Sequence, residues 1–230
     1  MSEPANEVNK LKGRDIAYSI GKGIIESIPI AGAAASELLG MIIAPPLEKR
    51  RAAWMQDIGE RLQAVEEEGR VDLSTLSENE QFIDVVLQAT TLALKTSQQE
   101  KLAAFKNIIT NTAKGVAPDE TKSQIFLSLV DAFTPWHFKV LRLINDPELW
   151  KRIYHAQNPN PHFITAASII ADAYPEMEGK YELLVLIWED LKRAGFHDCS
   201  PANMLITEDN VYDHRTRLGE EFIAFISSHD

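Results

Sequence analysis

Apolar residues recur at intervals of three and four from the start of the chain. Leu11, Ile16, Ile20, Ile24 and Ile28 predict a helix over Asn9 to Ile28, which Pro29 and Gly32 interrupt. A second helix is expected near Ala33, punctuated at Pro45-Pro46, where Pro46 suits the first turn of a resumed helix. That continuation carries Leu47, Trp54, Ile58, Leu62 and Val65 and ends in Glu66-Glu67-Glu68.

Ser77-Glu78-Asn79-Glu80 has the form of a capping box, with Ser77 as the cap of a long helix. Phe82, Val85, Val86, Ala89, Leu92, Ala93, Leu102, Phe105, Ile109 and Ala113 keep helical spacing until Gly115 and Pro118 end it. The next helix starts near Asp119 with Ile125, Phe126, Leu129, Val130 and Phe133 as its apolar face. Thr134-Pro135 reads as a cap and first-turn proline of another, and Asp146-Pro147 as a further boundary.

Asn158-Pro159-Asn160-Pro161 joins residues that favour turns, so it reads as a linker. After it come helical segments near 163 to 173 and 178 to 194, a stop at Gly195, and a β-like run from Met204 to Thr207. The turn Glu208-Asp209-Asn210, a second short run at Val211-Tyr212 and a final helix from Thr216 complete the pattern. The expected fold is mainly α: a helical bundle over 1–157, a linker over 158–161, and an acidic winged-helix-like α+β module over 162–230.

Composition narrows the function classes. With 45% hydrophobic and 25% charged residues in 230, the chain has the make-up of a folded globular protein. A lone Cys199 excludes an internal disulfide, and the frequent charges of residues 1 to 25 leave no secretory apolar core, so a reducing, cytoplasmic setting is expected. The net charge of −11 is uneven. Residues 1 to 61 balance eight Lys/Arg with eight Asp/Glu, whereas residues 162 to 230 set five against thirteen. Phosphate backbones would be repelled by that acidic third, so DNA binding by the winged-helix-like module is disfavoured and a protein partner is expected.

The stretch from Ile24 to Arg51 carries the strongest signal of burial. Glu37 divides it into uncharged segments of ten residues each, 27–36 and 38–47, and neither reaches the length a spanning helix needs. Gly32, Ser36 and Gly40 fall at i, i+4 and i+8, a stripe of small residues that admits a close neighbouring helix. The preferred reading is a packed seam of Gly32, Ser36, Glu37 and Gly40. The alternative is a segment that enters a membrane on activation, with Lys49, Arg50 and Arg51 as a basic contact for headgroups. A second copy of the chain is admitted as a partner.

Candidate chemistry is sparse. His197, Cys199 and His214 are metal-ligating residue types, but three ligands without a Cys-x-x-Cys pair make an incomplete zinc site, so a buried thiol beside surface histidines is expected. Trp136 is expected to anchor packing, and His137 is not expected to catalyse. Glu66-Glu67-Glu68 and Glu220-Glu221 read as solubilising charges. Phosphate-binding, dinucleotide-binding, zinc-protease and nucleophile-elbow motifs are absent from the sequence, so no enzyme activity, cofactor or metal is expected.

The run APPLEKRRAAW, the helical middle and the terminal TRLGEEFIAFI together resemble an arrangement in a family of uncharacterised bacterial all-helical proteins with a winged-helix-like C-terminal segment. In layout alone, a Gly/Ala-rich N-terminal helix leading a bundle is similar to helical cell-death domains of the HeLo type. The resemblance implies a helical fold and assigns no activity. The function expected is that of a non-enzymatic helical adaptor binding another protein. The alternatives are a conditional membrane-perturbing effector and a winged-helix transcriptional regulator.

Overall fold

The computed structural model describes residues 33–156, 165–198 and 215–228, with side chains from Leu47 onward. The described residues are mainly helical. They form α1 (Ala33–Glu67), α2 (Leu73–Leu76), α3 (Glu80–Lys95), α4 (Gln99–Ala113), α5 (Glu120–Ala132), α6 (Pro135–Ile144), α7 (Pro147–Ala156), α8 (Ala166–Ala173), α9 (Tyr181–Arg193) and α10 (Arg217–Ile226). The chain divides into two compact units, Met1–Gly59 and Glu60–Asp230. The predicted helix over Asn9 to Ile28 and the linker 158–161 lie outside the described residues.

Three expectations are corrected. First, α1 runs unbroken through Pro45-Pro46. A proline forfeits one intrahelical N–H bond and crowds the preceding turn, but it does not forbid helical φ, so an interior pair is costly without being a stop. Second, Ser77 does not cap the helix that follows. It closes the four-residue α2, and Asn79 caps α3 by accepting from the Phe82 amide at 3.0 Å. Third, the single long helix is two. Thr96 is extended, and its hydroxyl accepts from the Gln98 amide at 3.1 Å. A local hydroxyl-to-backbone bond of this kind replaces the helical ladder, and α3 and α4 fold back on one another as a hairpin.

The remaining boundaries follow sequence logic closely. Asp119 caps α5 through the Lys122 amide at 3.0 Å, and Thr134-Pro135 opens α6. At the end of α9, Gly195 adopts a φ of 77°, where an L side chain would be strained. Its amide bonds to the Lys192 carbonyl at 2.9 Å and the Phe196 amide to the Leu191 carbonyl at 3.0 Å, a Schellman closure that leaves Phe196 aimed into the core.

The core of the second unit is built on phenylalanine. Phe196 and Phe222 stack with centroids 4.5 Å apart, Phe126 meets Phe222 edge-on at 5.1 Å, and Phe133 and Phe225 close the cluster. Each such pair adds about 0.5 to 1.5 kcal/mol beyond area burial. Gly219 makes the approach of α10 possible, because a Cβ there would lie 2.4 Å from the Phe196 carbonyl oxygen. The terminal TRLGEEFIAFI therefore has a structural reading: Thr216 accepts from the Gly219 amide at 3.0 Å, Gly219 permits contact, and Phe222, Phe225 and Ile226 are core.

The winged-helix expectation is not supported. Among the described residues there is no strand; an isolated antiparallel bridge joins His197 and Arg215. The predicted runs at 204–207 and 211–212 lie outside the described residues. α10 instead packs on α4 and α6, elements from before the expected linker.

Candidate functional site

α3 presents two faces. Phe82, Val85, Ala89 and Ala93 are buried, whereas Asp84, Leu87 and Thr91 lie on the opposite side. Between that outer face and α5 runs an open groove of ≈ 420 Å³ lined by Asp84, Leu87, Gln88, Thr91, Leu92 and Gln124. Leu87 is 62% exposed within it, and Ile125, next in the chain to Gln124, is 51% exposed. The lining thus combines the apolar Leu87 and Leu92 with amide, hydroxyl and carboxylate groups. Periodicity does not single it out, because Leu87 lies on the face opposite the buried stripe and reads as an ordinary surface leucine.

The charges around it are unevenly placed. Glu80 stands one turn before Asp84, and Glu120 one turn before Gln124, whose amide donates to it at 3.4 Å. All three carboxylates are exposed. Lys122 turns away from them, bonded to Glu221 at 2.8 Å with Asp119 at 3.8 Å. Lys95 lies at the far end of α3.

Among the described residues, His137 is the buried imidazole whose surroundings resemble a reactive arrangement. Its Nδ1 accepts from the Thr134 amide at 3.1 Å and lies 2.9 Å from the Thr134 hydroxyl, while Nε2 faces Asp190 Oδ2 at 3.4 Å. The ring stacks on Phe133 with centroids 4.6 Å apart. The order of hydroxyl, imidazole and carboxylate is that of a nucleophilic relay, but the backbone amide already occupies the Nδ1 lone pair that would have to take the hydroxyl proton. With Nδ1 accepting, Nε2 carries the hydrogen and donates to Asp190. Burial holds the imidazole below its ordinary pKa, Asp190 opposes that, and Lys101 adds to it. The arrangement is a helix cap tied across to α9.

The other predicted residues fall as follows. Ser36, Glu37 and Gly40 lie on α1, and Gly32 lies outside the described residues. Lys49, Arg50 and Arg51 are exposed, as is Leu47 at 42%, while Trp54 is buried. Cys199 and His214 lie outside the described residues, and His197, expected at the surface, is 2% exposed. Its Nε2 meets the Trp188 carbonyl at 3.0 Å and its ring leans on Trp188 at 4.3 Å. Among the described residues no group of His, Cys, Asp and Glu has the arrangement of a metal site. Trp136 packs edge-on to Tyr174 at 5.8 Å beneath the Lys139 ammonium. Glu66, Glu67 and Glu68 are exposed, but Glu220 and Glu221 are engaged, pairing with Arg215 at 3.2 Å and with Arg217 at 3.0 Å. No helix of the described residues is long and apolar enough to cross a membrane.

No known family, curated protein or solved structure matches the chain.

Proposed function

We propose that the protein is a helical interaction module that binds another protein, with the α3–α5 groove as its docking site. The observation that carries this reading is Leu87, a leucine 62% exposed in the lining of a groove that also presents Asp84, Gln88, Thr91 and Gln124. Exposed leucines are common singly, but one that shares a shallow groove with polar side chains fits the mixed make-up of a binding patch. The engagement of His137 in capping favours binding over chemistry. The pairing of Arg193, Arg215 and Arg217 with Asp190, Glu220 and Glu221 sets a carboxylate beside each of these cations, which disfavours a phosphate backbone there. A photo-crosslinking residue placed at Leu87 of the full chain in cells should give a discrete adduct, and the same residue at exposed Gln63 should not. Equal adducts from both positions, or none from Leu87, would remove the groove as a docking site.

A second reading is favoured by one observation about α1. The helix runs unbroken past Pro45-Pro46 and carries the exposed Leu47, Lys49, Arg50 and Arg51 just beyond. A helix that delivers an uncharged segment to a basic triplet suits the surface of an anionic membrane. Vesicle co-sedimentation and dye release by the whole chain, with and without residues 1–46, separate the readings. The interaction module predicts no dye release, including from Glu37→Leu.

A further inference from the structure

We infer that the α3–α5 groove takes the apolar face of a basic amphipathic helix supplied by a partner protein; this rests on the docking reading above and names the partner's chemistry. The groove follows α3 from Asp84 to Leu92. Eight helical steps span roughly 12 Å, about two turns, which is the reach of anchors at i, i+4 and i+7 on a partner helix. Leu87 and Leu92 supply apolar contact for such anchors, while Gln88, Thr91 and Gln124 supply hydrogen-bonding groups in the same lining.

Charge selects among occupants. Glu80 and Asp84 stand in the first turns of α3, whose Gln81 donates to the Pro118 carbonyl at 2.9 Å, two residues before Glu120, and the cation closest in sequence to Glu120, Lys122, is committed to Glu221. A partner with Lys or Arg at that end gains complementary pairing and faster encounter. An anionic lipid surface meets repulsion there. Two grooves of this chain face to face set the same carboxylates against one another when the two-fold axis runs along α3, and with the axis across it they offer the acidic end only Lys95 of α3. A partner peptide chain with basic residues at one end of its apolar stripe satisfies all three conditions.

The test is selection of helical 16-residue peptides from a display library against the immobilised full chain, followed by anisotropy with the enriched peptides. Enriched sequences should carry Leu, Ile or Met at i, i+4 and i+7 with at least two Lys or Arg toward one end. Leu87→Asp should weaken them tenfold or more, and Asp84→Lys by several-fold with a loss of salt dependence. Leu87 is exposed, so Leu87→Ser serves as a second variant whose unchanged melting temperature establishes that weakened binding is not unfolding. Binders that depend on Leu87 but lack basic residues would overturn the inference and leave the docking reading standing. Binders indifferent to Leu87, or no enrichment of helical sequences, would overturn both.

Discussion

The side-chain amide of Asn111 lies 2.9 Å from the carbonyl oxygen of Phe225, joining residues 114 apart in the chain. The same Nδ2 reaches the Ser227 carbonyl at 2.9 Å, and Asn107, one turn earlier, reaches that of Ile226 at 2.9 Å while accepting from Arg61 at 3.1 Å. The last carbonyls of a helix have no intrahelical donor, so α4 supplies the C-terminal cap of α10. Asn111→Leu keeps the volume and strands those acceptors. It should destabilise the second unit by about 1 to 3 kcal/mol, measured by urea unfolding, with Asn107→Leu costing less because Asn107 is only part-buried.

Gly219→Ala tests the closeness of α10. Its Cβ would meet a backbone oxygen at 2.4 Å, an atom that cannot swing aside as a side-chain tip would. We expect a loss of roughly 1 to 3 kcal/mol or more and a lower melting temperature. An unchanged midpoint would mean that α10 sits farther from Phe196.

The pH dependence of stability has a definite sign for His137. Its pKa is lowered in the folded state, so the unfolded chain binds the proton first. Stability conferred by the neutral imidazole is fully present above its unfolded pKa, about 6.5, and is lost as pH falls through the lower folded value. Asp72 and Glu221, also lowered, act below that window, in the carboxylate range. His137→Gln retains an acceptor for the cap and cannot titrate. Denaturation curves between pH 7.5 and 5 should therefore flatten in the variant relative to the unmutated chain.

The hinge between α3 and α4 offers a fourth check. Thr96→Ala removes the hydroxyl that accepts from Gln98 and leaves a better helix former, so the turn loses its local bond. A destabilisation of about 0.5 to 1.5 kcal/mol is expected by chemical denaturation, with helical circular dichroism unchanged because packing of α3 on α4 still enforces the hairpin.

What the sequence disclosed and what it hid divide along physical lines. Thr134-Pro135, Asp119 and Gly195 act through their own backbone preferences, so their roles were readable locally. Ser77 and Asn79 are both competent caps two residues apart, and only the position of the preceding short helix decides between them. The break at Thr96 was hidden because the apolar spacing of 82–93 runs into that of 102–113 with no Gly or Pro between. Pro45-Pro46 misled in the opposite direction, carrying a stop signal that the helix overrides. The groove was invisible for a different reason: a surface leucine acquires meaning only from the concavity that α5 builds beside it. His197 reads as exposed because nothing local announces the ring of Trp188 and the backbone bridge to Arg215 that flank it.

The pairing of α10 with α4 also governs how fast the second unit can be reached. The α3–α4 hairpin brings together neighbours in sequence, and its closure is entropically cheap. Bringing Phe225 to Asn111 closes a loop over 114 residues, which costs about 2 kcal/mol more than closing one of roughly ten. The Phe196–Phe222 stack closes a short segment, but the packing of Phe126 on Phe222 and Phe225 and of Phe133 on Phe222 is gained only when α10 reaches the earlier helices. Folding of this unit is therefore expected to be paced by the late arrival of one ten-residue helix, with the hairpin waiting as a preformed but incompletely covered platform. Stopped-flow refolding should show Gly219→Ala slowing the main phase while changes confined to the α3–α4 turn act chiefly on unfolding.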